Sequence, residues 1–497
     1  MSKLNRKLIF HILGLLLMFN GFAMLISAFV SYLTNDGLLS EMTIVSSFAI
    51  FFGWLLMTVS KKNERKINKR DAYFVVVLGW LTMVFSGMLP YLVTESISSF
   101  SNVFFETMSG YTTTGSTIIN DIDVLPKSII FWRSMTHWLG GMGIIVLAIA
   151  ILPLLGIGGM QLFSAEAPGL TGDKIHPRIS DTAKRLWLIY VGLTILETIL
   201  LKLAGMSLFD AINNSMSNIA SGGFSSKNES IGFWNDNPLV QYIIIFFMFL
   251  AGTNFVLIYF GLTGKFKKIF QDTEFKWYVS FICAFVFIST LILFFKVNLT
   301  STEFYHPEVL GKFESSFRHS LFQVVALVTT TGFVTGDFIS WTPFLTMLFF
   351  GIMFLGGSSG STSGGVKVLR HLILIKNGFL EFKRSLHPNA IFPLRHNNHV
   401  VEKPIIIHVL AFFILYLILF IIGAGVLSAL GLDFVSAIGG AASSLGNVGP
   451  ALGTLGPISN FDSLPEIGKY WCAFLMLVGR LELFTVLIFF TPYFWKN

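Results

Sequence analysis

Four times along this chain, a stretch too short to cross a bilayer ends in a small polar run that closes on glycine. The runs are Thr112-Thr113-Thr114-Gly115, Ala220-Ser221-Gly222-Gly223, Thr329-Thr330-Thr331-Gly332 and Gly446-Asn447-Val448-Gly449. Each follows one long apolar segment and precedes another. Lipid cannot satisfy the bare backbone of such a loop, so at membrane depth the loop must line a polar cavity. Four of them around one axis would present a ring of carbonyls, which is how a cation filter is built. That requirement restricts the fold: the loops must converge, and the apolar segments must surround them.

Composition places the chain in a membrane. It is 54% hydrophobic and 12% charged, with 53 phenylalanines among 497 residues, which is not the balance of a soluble core. Cys283 and Cys472 both lie in apolar segments and suggest neither a disulfide framework nor a metal site. Lys3, Arg6 and Lys7 precede an apolar stretch of about 25 residues, too long for a signal-peptide core, so it reads as a retained first span. Spans are expected near 8–33, 42–60, 72–93, 131–155, 186–205, 239–261, 276–297, 343–375 (interrupted), 404–430 and 469–491. Each is near or above the roughly 20 residues a crossing helix needs. The net charge of +7 gathers in alternate connections: the N-terminus, Lys61 to Arg70, Lys174 to Arg185, Lys265 to Lys276 and Lys367 to Lys403. Ten spans with both termini cytoplasmic satisfy the positive-inside rule, and the basic loops become orientation signals instead of a nucleic-acid surface.

After two spans that stand apart, the pattern of span, short re-entrant segment, glycine loop and span recurs four times. Met108 and Met216 each lie seven residues before Gly115 and Gly223. The pairs Ala211-Ile212 and Ala437-Ile438 hold equal spacing to Gly223 and Gly449. Leu139-Gly140-Gly141, Leu250-Ala251-Gly252, Leu355-Gly356-Gly357 and Leu477-Val478-Gly479 mark the second span of each unit. The expected fold is an all-α polytopic membrane protein with four pseudo-symmetric helix–pore-loop–helix units around a central ion pore. Two N-terminal helices occupy 1–70, and the units occupy 71–155, 156–263, 264–375 and 376–497. Gly140, Gly141, Gly252 and Gly479 read as helix-packing glycines. The ring itself is assigned to Thr113, Thr114 and Gly115; Ser221, Gly222 and Gly223; Thr330, Thr331 and Gly332; and Asn447, Val448 and Gly449.

The third unit differs. Gly356-Gly357-Ser358-Ser359-Gly360-Ser361-Thr362-Ser363-Gly364-Gly365 cannot stay helical cheaply, since each glycine costs about 1 kcal/mol relative to alanine. The segment reads as a polar intramembrane gate. Arg480, expected in mid-span of the last helix, is costly there and invites a carbonyl-rich neighbour; an ion pair with a distant acid is the plainer alternative. Glu482 is two residues on and would face elsewhere. Glu106, Asp210 and Glu197 are scattered and suggest no proton relay, and His137 and His408 read as packed or paired histidines. Gly356-Gly357-Ser358-Ser359-Gly360 also fits G-x-S-x-G, with His408 as an imaginable base, but apolar helix flanks the run where a serine hydrolase needs a strand-to-helix turn. An alternating-access symporter of inverted repeats is disfavoured because all four units run in the same orientation.

These residues resemble the TrkH/KtrB superfamily of potassium transporters, most closely its TrkH branch. The likeness rests on His137-Trp138-Leu139-Gly140-Gly141-Met142-Gly143-Ile144, Gly158-Gly159-Met160-Gln161-Leu162, Gly356-Gly357-Ser358-Ser359-Gly360-Ser361-Thr362 and Gly446-Asn447-Val448-Gly449-Pro450, and it covers essentially the whole chain. The resemblance implies potassium uptake across the bacterial inner membrane, with K⁺ as transported ion and no covalent cofactor. It also implies a homodimer with one pore per protomer and a cytoplasmic ring of TrkA-type nucleotide-binding subunits. Only glycine is common to all four loops, which leaves a sodium-permeable or sodium-coupled member of the same superfamily as the runner-up.

Overall fold

The computed structural model describes residues 4–60, 69–146, 179–301, 306–397 and 399–495. The Gly158–Leu162 motif, much of the basic run from Lys61 and most of the connection 156–185 lie outside them. Helices α1 (Arg6–Thr34) and α2 (Leu39–Val59) form a hairpin. Its close approach rests on small residues: a Cβ on Gly14 would come 2.7 Å from the Gly53 carbonyl. The four repeats follow. The first holds α3 (Lys69–Gly87), α4 (Phe100–Tyr111) and α5 (Lys127–Val146). The second holds α6 (Ile179–Leu203), α7 (Leu208–Ile219), α8 (Pro238–Ala251) and α9 (Phe255–Leu262). The third holds α10 (Thr273–Lys296), α11 (Lys312–Val328), α12 (Pro343–Ile352) and α13 (Val368–Leu386). The fourth holds α14 (Lys403–Ala429), α15 (Phe434–Gly446), α16 (Glu466–Arg480) and α17 (Phe484–Leu487). A two-residue hairpin pairs Arg395 with Val400 and His396 with His399.

Among the described residues, six helices are long and apolar enough to cross a membrane, and two sharply bent pairs raise the number to eight. The other two expected spans are α5, which runs up to residue 146, and the interrupted α12–α13. Three apolar segments are broken, where the sequence suggested one. The span at 239–261 bends by 109° between α8 and α9, and the last span bends by 112° after Arg480. Arg480 therefore closes a helix instead of lying within one. The cause is proximity. A Cβ on Gly252 would lie 2.5 Å from Thr329 Cγ2, and one on Gly479 would lie 2.0 Å from the Leu445 carbonyl. Where the helix slides under a pore loop it stops. Asn254 caps the restart at Val256 N, 2.8 Å away. The stop also frees carbonyls that regular helix would have used.

The short helices α4, α7, α11 and α15 have 12, 12, 17 and 13 residues, too few to span a bilayer. They sit in the buried centre, and the long helices cover them. Asn20 of α1 ties the outer hairpin to this centre: it donates to Ser86 Oγ at 2.7 Å and accepts from the Tyr111 hydroxyl at 2.6 Å.

Candidate ion pathway

Each short helix ends in the same way. Thr114 N donates to Ser109 O, Gly222 N to Ser217 O and Thr331 N to Ala326 O at 2.9 Å, and Val448 N to Ser443 O at 3.0 Å. One residue earlier, Thr113, Ser221, Thr330 and Asn447 donate to the carbonyls three positions back. This pair of bonds is the Schellman cap, which requires a left-handed residue just past the helix. That residue has φ of 49° at Thr113, 54° at Ser221, 52° at Thr330 and 52° at Asn447. For a side chain other than glycine or asparagine the conformation costs about 1–2 kcal/mol. Two residues later the backbone turns left-handed again, at Gly115, Gly223, Gly332 and Gly449.

The glycines close a ring. A Cβ on Gly115 would lie 2.1 Å from Gly222 O, and one on Gly223 the same distance from Thr331 O. One on Gly332 would lie 2.0 Å from Val448 O, and one on Gly449 2.8 Å from Thr114 O. Each glycine thus touches the middle carbonyl of the next loop, in the order one, two, three, four and back to one. Loops one and three, both three threonines and a glycine, lie across the ring. They share a further bond, Thr112 Oγ1 to Thr114 Oγ1 and Thr329 Oγ1 to Thr331 Oγ1, each 2.8 Å. All four glycines line one outer cavity of about 170 Å³, together with Ser116, Phe224, Val334 and Pro450.

Buried polar side chains hold the loops from behind. Glu106 and Arg133 form an ion pair of 2.9 Å with both side chains almost wholly buried. Glu106 also accepts from Ile118 N at 3.0 Å, and Arg133 lies over the Phe224 ring at 4.1 Å. His137 stacks on Phe224 at 3.9 Å and shares a 2.9 Å bond with Ser217 Oγ. Glu197 accepts from Asn218 Nδ2 at 2.6 Å, and Asp210 accepts from Ser226 Oγ at 2.7 Å. His408 stacks on Phe484 at 4.7 Å. These acids and histidines are tied into packing and loop support.

Below the ring lies the loop between α12 and α13. Its neck is closed where Gly356 N donates to Val366 O at 2.9 Å and Val368 N to Gly357 O at 3.2 Å. The carbonyls freed at the α8 break receive it: Ser358 N donates to Gly252 O at 2.8 Å and Thr362 N to Ala251 O at 3.3 Å. Its tip meets the ring from beneath. Thr362 Oγ1 shares a 2.9 Å bond with Ser221 Oγ, and Gly364 N donates to Thr330 Oγ1 at 2.6 Å. Arg480 Nη1 donates to the Thr362 carbonyl at 2.9 Å, the carbonyl-rich neighbour that its position invited. Ser359 N donates to Glu274 at 2.6 Å, and Lys367 Nζ reaches the Ser363 carbonyl. The loop is buried: Ser358, Ser359, Ser361, Thr362 and Ser363 are each 5% exposed or less.

The contacts of Arg133, Glu274 and Lys367 and the pairing of Arg370 with Glu482 emerge only from the structure. Arg133 had a signal, a cation inside an apolar segment, which needs a partner. Glu274 lies just before the expected span 276–297, while Lys367, Arg370 and Glu482 fall within expected spans 343–375 and 469–491 and carry the same signal without naming a partner.

The arrangement defines a class: a polytopic membrane protein in which four repeats of one chain enclose a common axis. Comparison with known proteins is specific. Residues 39–496 match the family described as TrkH, cation transport protein, and the chain belongs to that family. It is 40% identical to the Trk system potassium uptake protein TrkH of Escherichia coli K12 across 99% of both chains. It is 37% identical to the protein of that name from Halomonas elongata across 99% of this chain and 100% of the relative. The crystal structure of the potassium transporter TrkH from Vibrio parahaemolyticus superposes with a TM-score of 0.87 at 35% identity, covering 99% of this chain and 100% of that one.

Proposed function

We propose that this protein carries potassium into the cell through a channel-like pore, with the four-loop ring as its selectivity filter and loop 356–365 as its gate. The reading rests above all on the ring: four loops of one conformation, each glycine set against the next loop's carbonyl. K⁺ sheds water only where something replaces it, and carbonyls of Thr113, Thr114, Ser221, Gly222, Thr330, Thr331, Asn447 and Val448 are the replacement. Units 71–155, 156–263, 264–375 and 376–497 each lend one loop. The C-terminal ends of α4, α7, α11 and α15 lie at the loops, so their negative dipole ends favour a cation there. Membrane potential supplies about 2.3 kcal/mol per charge per 100 mV, so roughly fiftyfold accumulation needs no coupled ion.

The protein sits in the bacterial inner membrane with both termini cytoplasmic, as the basic connections orient it. It performs no covalent chemistry and needs no cofactor. The fit of Gly356–Gly360 to a hydrolase motif carries little weight, because Ser359 is anchored through its amide to Glu274 and His408 packs on Phe484. Family membership supports a homodimer and a cytoplasmic TrkA-type regulator. The exposed Phe379, Phe382 and Leu386 of α13 give such a partner an apolar surface. Loops two and four lack the threonine pattern, which favours a sodium-permeable or cation-coupled relative as second reading. Flux of K⁺ and of Na⁺ into liposomes holding the purified protein decides between them. Potassium flux driven by voltage alone is expected, and equal sodium flux would defeat the filter reading.

A further inference from the structure

The bend after α16 carries two opposite charges, and each holds the interrupted segment at a different place. Arg480 donates to the Thr362 carbonyl in the middle of the loop, at 2.9 Å. Glu482 pairs with Arg370, the third residue of α13, just past the point where the loop ends. Arg370 lies 3.8 Å from the Phe412 ring of α14, and the two charged side chains are 5% and 19% exposed. The pair is therefore held from a third side and shielded from water, where an ion pair is strong.

Residues two apart on a regular helix face different directions. Here the helix stops at Arg480, and Glu482 and Leu483 take left-handed φ of 57° and 42°. Neither residue is a glycine, so the bend is not one the local chain prefers. Cap bonds from Glu482 N to Gly479 O at 3.3 Å and from Leu483 N to Val478 O at 3.0 Å close it from within, and a contact from outside adds to them. Among its described polar contacts, the carboxylate of Glu482 reaches out of the bend only to Arg370.

We propose that Arg370 and Glu482 are positioning residues. Their ion pair fixes the bend in the form that lets Arg480 reach Thr362, and so couples α13 to the floor of the pathway. The inference rests on the reading of loop 356–365 as a gate. A displacement of α13 pulls Glu482 and with it the bend, and Arg480 leaves the loop.

The test is rubidium flux through full-length protein in liposomes, for R370E, E482R, the charge-swapped R370E/E482R and R480A. Each single reversal should raise basal flux about fivefold or more, and the swap should return it to within about twofold of the unaltered protein. Single reversals at unaltered flux, or a swap that leaks as they do, would overturn the inference. R370Q and E482Q, measured alongside for reconstituted amount and thermal stability, serve where a reversal does not fold: leak at normal stability supports the inference, and normal flux overturns it. R480A separates the two ideas. If it does not leak, the gate reading fails; if it leaks while the swap fails to rescue, only the coupling fails.

Discussion

At the ring, four loops repeat one backbone conformation, left-handed at Thr113, Ser221, Thr330 and Asn447 and again at the glycines two residues on. Beneath it, a single loop meets the ring through Thr362 on Ser221 and Gly364 on Thr330, and Arg480 on Thr362 and Glu274 on Ser359 hold it from other sides, each contact occurring once. The ring tolerates varied side chains because its geometry is set by Schellman caps and glycine contacts. The floor has no such redundancy. Backbone geometry repeated four times sets the ring, whereas each of these side-chain contacts at the floor can be removed by a single substitution.

The largest effect should fall on the buried support of the ring. Arg133→Ala leaves Glu106 as an unpaired buried charge, a loss of about 3–5 kcal/mol. Thermal unfolding in detergent should shift strongly downward, and by clearly more than for Arg480→Ala. Equal shifts would erase the contrast between rigid ring and adjustable floor. Next comes the ring itself. Gly332→Ala puts a methyl group 2.0 Å from the Val448 carbonyl, at a φ of 74°. Overpacking of this kind costs about 1–3 kcal/mol, and discrimination of K⁺ from Na⁺ should fall about tenfold or more. Competitive rubidium uptake at matched protein level measures it, and unchanged preference would remove Gly332 from the filter. Gly115→Ser should behave alike.

A smaller change is expected at the floor. Arg480→Ala removes one charge-assisted bond to a carbonyl, worth about 1.5–3 kcal/mol, and should make the protein leak rubidium without changing the ions it prefers. Altered preference would mean that floor and ring are one device. The smallest effect belongs to Thr113→Val. Among the described residues the Thr113 hydroxyl has no hydrogen-bond partner, so its loss should shift stability by less than about 1 kcal/mol. A modest change in the rubidium-to-potassium flux ratio would show that the hydroxyl faces the ions.

Much of this architecture was legible in the chain. The four runs ending at Gly115, Gly223, Gly332 and Gly449 are local signals, and the conformation they need is written in residues only a few positions apart. The same holds for Gly356–Gly365, whose composition forbids helix wherever it is placed. The breaks after Ala251 and Arg480 were not legible. Gly252-Thr253-Asn254 and Gly479-Arg480 interrupt otherwise apolar runs of near-spanning length, and only a neighbouring loop explains why the helix stops there. Nor was the partner of Glu106 or of Glu482, because a sequence shows that a buried charge needs a counterion without showing which one.

The amino-acid sequence by itself determined the solvent this protein folds in, the number of repeats and the residues of each glycine loop. Hydropathy and backbone preference act over one helix or one turn, so nearby residues suffice to set them. The tertiary structure decided the cyclic order of the loops, the tilt of the broken helices and the joining of Arg370 to Glu482 across 112 positions. Those depend on which surfaces meet when the repeats close on one axis, and only the assembled chain brings such distant groups within reach of each other.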